Sequence, residues 1–331
     1  MSKVVLLSQD LKGYYKGTFG VVHAVDGVSL SVENDDVLGL AGESGCGKST
    51  FTQLLTGTPV PLLHYESGKV EVEGIDIWNT PAEELRKGVK CKLLSYVPQS
   101  ALNALNPTLR LREFVADMLR ERTGQKCSPN EAREFLAEHF RALNLDEHVL
   151  DRYPHELSGG MRQRAVIAIS TYAKPSLLLT DEPTSSLDVA SQKRLIEMLL
   201  SLHRTGMIKS MMISSHDICA LRQLCDRIAI MYAGKLVEEG TTDDIINNPV
   251  HPYTTLLLDS LLPLEHLSKD EKFKIIEGRP PDLRHPPPGC RFHPRCPQRT
   301  DICTFKMPPA VEKDGRSFSC WLYSKGELGD G

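Results

Sequence analysis

Leu157-Ser158-Gly159-Gly160-Met161-Arg162-Gln163-Arg164 is the stretch on which the reading of this 331-residue chain turns. It follows Gly42-Glu43-Ser44-Gly45-Cys46-Gly47-Lys48-Ser49 and precedes Leu177-Leu178-Leu179-Thr180-Asp181-Glu182. The first flanking segment fits G-x-x-x-x-G-K-S/T and follows Val37 to Ala41, an apolar run that suits a buried strand. Its glycines let backbone N–H groups turn inward around phosphate oxygens. A helix is predicted from Lys48 through about Leu55, with its positive N-terminal end toward those phosphates. Lys48 is placed to reach the β- and γ-phosphates, and Ser49 to ligate Mg²⁺. A bare glycine turn would read the same in isolation; the strand before and helix after favour the phosphate reading.

Leu177 to Thr180 reads as a buried strand ending in two carboxylates. Asp181 is placed to hold the Mg²⁺ shell, and Glu182 to orient and polarise an attacking water. Ser158 is a good helix N-cap, which is its bland role. Two glycines are costly in a simple cap, so the helix start at Ser158-Gly159-Gly160 reads instead as an anion site. His216, after the strand Met211 to Ser214, is a candidate γ-phosphate sensor. Gln99, after Tyr96-Val97-Pro98, is placed to meet the Mg²⁺ shell or the water.

The remaining chain fits this frame. Residues 1 to about 36 alternate like antiparallel strands, and residues 70–78 like a hairpin strand. Leu93 to Val97 reads as a short strand. Leu111, Phe114, Val115, Met118 and Leu119 show helical spacing, as do Ala132, Phe135, Leu136, His139 and Phe140. A helix over 189–203 and a hairpin around Ala233-Gly234 complete an alternation that indicates a parallel α/β core. From about 249 the composition shifts, and prolines from Pro280 to Pro309 predict a loop-rich stretch.

A formal net charge of -4 argues against general nucleic-acid binding, which usually shows a basic excess. No segment approaches the roughly 20 apolar residues a spanning helix needs, and Val4-Val5-Leu6-Leu7 is too short for a signal core. The expectation is a soluble chain whose membrane link runs through a partner.

The order of phosphate loop, Gln99, Leu157-Ser158-Gly159-Gly160, Asp181-Glu182, Ser186-Leu187-Asp188 and His216 resembles that of ABC (ATP-binding cassette) ATPases in full. The resemblance implies an α/β cassette over residues 1–248: a RecA-like core with an antiparallel β subdomain and a helical subdomain at about 100–157. It implies that Tyr15, with Tyr14 as a substitute, stacks on adenine. Gly42, Ser44, Gly45, Cys46, Gly47, Lys48, Ser49 and Thr50 would hold ATP. Ser158, Gly159 and Gly160 would bind the ATP of the opposite subunit in a head-to-tail dimer. Glu182, His216 and Gln99 would carry catalysis, with Ser49, Gln99 and Asp181 around Mg²⁺.

Met161, Asn248-Pro249-Val250-His251-Pro252-Tyr253-Thr254, Gly278-Arg279-Pro280-Pro281-Asp282-Leu283 and Pro288 to Pro297 look like the oligopeptide/dipeptide importer ATPases. That resemblance implies import of peptides, or of related solutes such as nickel or oligosaccharides. It implies a second cassette chain as heterodimer partner, two membrane-spanning permease subunits and an extracytoplasmic solute-binding protein. The chain would work peripherally at the cytoplasmic face of the membrane. The competing expectations are a soluble cassette with no transporter and a degenerate cassette that only regulates. Intact Lys48, Asp181, Glu182 and His216 weigh against the last.

Cys290, Cys296, Cys303 and Cys320 crowd the end of the chain, in an extension over 249–331. Four thiolates can complete a 4Fe–4S cluster or a tetrahedral Zn²⁺ site. The short clip of zinc ribbons is missing, and the family resemblance points to the cluster, as a staple for a tail with little core. Arg291, Arg295 and Arg299 are positioned in sequence to offset thiolate charge.

Overall fold

A computed structural model describes residues 3–58, 60–99, 104–185, 187–260 and 276–323. In chain order the strands and helices are β1 (Val4–Gly17), β2 (Gly20–Glu33), β3 (Val37–Ala41), α1 (Lys48–Leu55), β4 (Leu63–Val72), β5 (Ile75–Asp76), α2 (Ala82–Glu84), β6 (Leu94–Val97), α3 (Leu111–Thr123) and α4 (Pro129–Ala142). They continue as α5 (Gly159–Thr171), β7 (Leu177–Asp181), α6 (Val189–Arg204), β8 (Ser210–Ser215), α7 (Ile218–Leu224), β9 (Arg227–Tyr232), β10 (Lys235–Thr241), α8 (Thr242–Asn247), α9 (Pro252–Asp259), α10 (Ile302–Phe305), β11 (Val311–Lys313) and β12 (Arg316–Phe318). Two compact units form, neither contiguous in sequence.

The first unit takes residues 1–7, 31–37 and 70–215. Its centre is the parallel run β6·β7·β8, with Leu94 opposite Leu177 and Leu177 opposite Ser210. Leu177, Leu178 and Leu179 are 0% exposed, which accounts for the unbroken apolar run. Each such burial is worth about 1.5–3 kcal/mol. The helical block is present as α3 and α4. Ser128 caps α4, accepting from the Glu131 N–H at 3.3 Å while the Glu131 carboxylate accepts from the Ser128 N–H at 2.7 Å. Arg133 joins Asp151 (3.1 Å) and Glu147 (3.3 Å), and Arg112 adds a second bond to Asp151 at 2.9 Å. One residue of the predicted apolar stripe departs: Phe135 is 59% exposed, with its ring edge on Tyr172.

The second unit takes residues 8–30, 38–69 and 216–331. β3 pairs in parallel with β9, and β9 turns through Ala233 and Gly234, both at positive φ, into antiparallel β10. β12 then adds to β10, and β11 to β12. These two tail strands were not anticipated; at three residues each they carry too little pattern to read. The amino-terminal strands stand in the order β2-β1-β4. The described tail residues group with the phosphate loop in this unit. Among the described residues, no helix is long and apolar enough to cross a membrane.

Candidate functional site

The phosphate loop lies in the second unit, between β3 and α1. The helix begins at Lys48, where the sequence places it. Gly47 is its N-cap at φ 113°, and a Cβ there would stand 2.2 Å from the Ala24 carbonyl oxygen. Only glycine fits. Ser44, Gly45 and Ser49 are exposed, whereas Cys46, Lys48 and Thr50 are buried. The Lys48 ammonium donates to the carbonyls of Gly42 (2.7 Å) and Glu43 (3.1 Å). The loop thus holds its own cation ready beside its turned backbone. Burial raises the Cys46 thiol pKa, so Cys46 is a neutral packing group.

The two tyrosines separate clearly. Tyr14 donates to Asp26 at 2.8 Å and packs on His23. Tyr15 instead has its hydroxyl 3.4 Å from Thr50 Oγ1, one residue into α1 beyond Ser49. Of the pair, Tyr15 is the one that meets α1. His216, at the boundary after β8, is exposed and precedes Asp217, which caps α7 by accepting from the Ala220 N–H at 3.1 Å.

The acidic strand end and the helix start lie in the first unit. Asp181, 1% exposed, accepts from the Ser214 hydroxyl on the neighbouring strand. Glu182 leaves the strand at φ 45°, with its N–H donated to the Ser214 carbonyl at 2.8 Å. Gln99 reaches the Glu182 side chain: its amide donates to Glu182 Oε2 at 3.1 Å.

Ser158 caps α5, accepting from the Met161 N–H at 3.3 Å. The two glycines differ. A Cβ on Gly159 would meet nothing within 4 Å, but one on Gly160 would lie 2.7 Å from Ser191 Oγ on α6. Gly160 therefore has a packing reason that the sequence reading credited to ligand binding alone. Ser191 is itself fixed by Asp188 at 2.7 Å. Of Ser186-Leu187-Asp188, Ser186 lies outside the described residues.

The four tail cysteines line one small pocket, walled by Phe292 and Trp321. Burial, reinforced by the neighbouring cysteines, pushes the thiols of Cys290 and Cys320 up to about 11; burial also raises Cys296. Unmetallated, these three are protonated at neutral pH. Among the described residues, no three His, Cys, Asp or Glu side chains are placed to hold a single metal ion. The expected role of the arginines needs correction. Arg291 bonds Asp26 and Arg295 bonds Glu43, so neither guanidinium is turned to the thiols; Arg299 alone acts electrostatically on Cys296.

The ABC transporter family model matches residues 25–185, and the oligopeptide/dipeptide transporter C-terminal region matches 237–303. The dipeptide transport ATP-binding protein DppD of Caldanaerobacter subterraneus is 39% identical over 98% of this chain and 98% of its own length. This chain belongs to the ABC transporter ATP-binding subunits. DppD of Bacillus subtilis is 35% identical, covering 96% of this chain and 94% of its own, and the oligopeptide transport ATP-binding protein AppF of the same organism is 36% identical over 97% and 98%. Among solved structures, a post-hydrolysis dimer of the ATP-binding cassette MJ0796 bound to ADP and Pi superposes with TM-score 0.62 at 25% identity. It covers 72% of this chain and 98% of that one. The cassette fold and ATP hydrolysis follow for this ABC subunit, and the family works with permease subunits.

Proposed function

We propose that this ABC subunit drives import of dipeptides or oligopeptides from the cytoplasmic face of the membrane. Its partners are a second cassette chain, two membrane-spanning permeases and an extracytoplasmic solute-binding protein. The observation that carries the reading is similarity to peptide-transport ATPases over nearly the whole chain, tail included. A soluble, transporter-free cassette gives no reason for the 237–303 match.

In this reading Lys48 and the loop N–H groups hold the ATP phosphates, and Tyr15 stacks on adenine. Ser158, Gly159 and Gly160 serve the nucleotide of the partner cassette. Ser49, Asp181 and Gln99 supply the oxygen donors that Mg²⁺ prefers; the ion would offset phosphate charge. Glu182 takes up the proton of the attacking water, with Gln99 fixing its carboxylate. His216 donates toward the γ-phosphate. The work is positioning and charge stabilisation, as phosphoryl transfer requires.

A second reading rests on the four cysteines that line one pocket. They hold a 4Fe–4S cluster that staples the tail. The pocket gathers all four thiols, and a cluster takes one thiolate for each of its irons.

The test is reconstitution in vesicles with the permeases and solute-binding protein. Peptide-loaded binding protein is expected to stimulate ATP turnover. Stimulation by nickel or oligosaccharide alone would overturn the peptide assignment, and failure to co-purify with permeases would overturn transport.

A further inference from the structure

Glu43 is the second residue of the loop proposed to hold the ATP phosphates, and it brings a carboxylate into that loop. That charge needs a partner, and the tail provides it. Arg295, whose side chain is 6% exposed, grips Glu43 with both ends of its fork: Nη1 to Oε2 at 2.7 Å and Nη2 to Oε1 at 3.1 Å. The same guanidinium donates from Nη1 to the Tyr232 hydroxyl (3.2 Å), from Nε to the Glu277 carbonyl (3.0 Å) and from Nη2 to the Ile276 carbonyl (3.3 Å). Each of its N–H groups has an acceptor, so the side chain has one place to be.

Glu43 is fixed at its backbone too. Its N–H donates to the Tyr253 hydroxyl at 2.9 Å, and its carbonyl accepts from Lys48 Nζ at 3.1 Å and from the Cys46 N–H at 3.2 Å. Tyr232 and Tyr253 both pack on Phe292, with ring centroids 5.1 and 5.3 Å away. On the other side Arg291 pairs with Asp26, the acceptor of Tyr14. The segment between Cys290 and Cys296 therefore reaches the surroundings of the loop through two arginines and one aromatic.

We propose that Arg295 is a positioning residue for ATP binding: acting through Glu43, it makes the tail a brace that sets the phosphate loop's conformation. This rests on reading Gly42 to Ser49 as the nucleotide-binding loop, but not on any metal in the tail. Neutralising Arg295 leaves a half-buried carboxylate unpaired beside the phosphates, which repels ATP; neutralising both partners removes that repulsion.

The experiment is a double-mutant cycle on the full chain. ATP affinity is measured calorimetrically for Arg295→Met, Glu43→Gln and the double variant, alongside thermal midpoints without nucleotide. Arg295→Met is expected to weaken ATP binding roughly tenfold or more, and the double variant to recover part of that loss. Arg295→Lys, which keeps charge but not the fork, falls between. Should Arg295→Met fold poorly, Arg295→Lys and Glu43→Gln still decide the matter. Unchanged affinity in the Arg295 variants, or losses that simply add in the double variant, overturns the proposal. Lys48→Ala separates the two readings: if it keeps ATP affinity, the loop assignment itself fails, whereas if it loses affinity while Arg295→Met does not, only the brace fails.

Discussion

The amide of Gln99 donates to Glu182 Oε2 across 3.1 Å, tying the loop after β6 to the turn after β7. The two residues are 83 positions apart in sequence and meet because β6 and β7 run parallel side by side, with Val97 opposite Thr180. In the proposed mechanism this exposed amide holds one oxygen of the carboxylate that would take the water's proton. Gln99→Ala is expected to lower ATP turnover by about tenfold or more while leaving ATP affinity within about twofold. Steady-state hydrolysis and calorimetric titration on the same preparation check it.

The two glycines at the head of α5 make opposite predictions. Gly160→Ala forces a methyl against Ser191, and overpacking of this kind costs about 1–3 kcal/mol. Gly159→Ala meets open space and should leave the fold intact or slightly firmer. Loss of turnover in Gly159→Ala, with denaturation midpoint unchanged, would mark that glycine as serving the nucleotide.

His139 on α4 is half-buried and 3.1 Å from Thr171 Oγ1, whose own proton goes to the Ile167 carbonyl at 2.8 Å. The histidine thus donates through Nε2 in its neutral form. Burial lowers its pKa below the usual 6.5. The folded state binds the proton less readily than the unfolded chain, so this contribution is full above 6.5 and is lost as pH falls from there toward the folded pKa. Chemical denaturation at pH 7.5 and 5.5 should show stability falling on the acid side, with a smaller fall in His139→Gln.

With the proposed cluster in place, protein purified without oxygen is expected to be brown, absorb broadly near ~400 nm and hold about four irons per chain. A colourless protein with about one zinc would keep the staple and remove the cluster. Replacing Cys296 with serine should bleach the band and lower the thermal midpoint. Absorbance with iron, sulfide and zinc analysis reads the metal content, and thermal denaturation reads the midpoint of the Cys296 variant.

Much of the cassette was legible because its chemistry is local. The glycines before Lys48 and the apolar runs at β3 and β7 each announce themselves within a few residues, and α1 spans the predicted Lys48 to Leu55. What stayed hidden depends on distant partners. The first part of β4, Leu63 to Lys69, is largely exposed and carries no apolar alternation. Phe135 kept helical spacing yet faces outward, since periodicity counts apolar residues without knowing what covers them. Glu43 held a usable signal, an acid inside a phosphate loop that needs a cation. Its partner Arg295 sits 252 residues away, so sequence proximity assigned that arginine to the thiols instead. The packing of Gly160 against Ser191 is hidden in the sequence, since it arises only where α5 and α6 meet.

Whether this ABC subunit hydrolyses ATP at Glu182 is decided by Glu182→Gln. Nucleotide affinity and steady-state turnover are measured together on the variant and the unmodified protein. ATP is expected to bind with unchanged affinity and turnover to fall by about a hundredfold or more, since the variant keeps the site's shape and loses the proposed proton acceptor. Turnover that persists near the unmodified rate would contradict this role for Glu182.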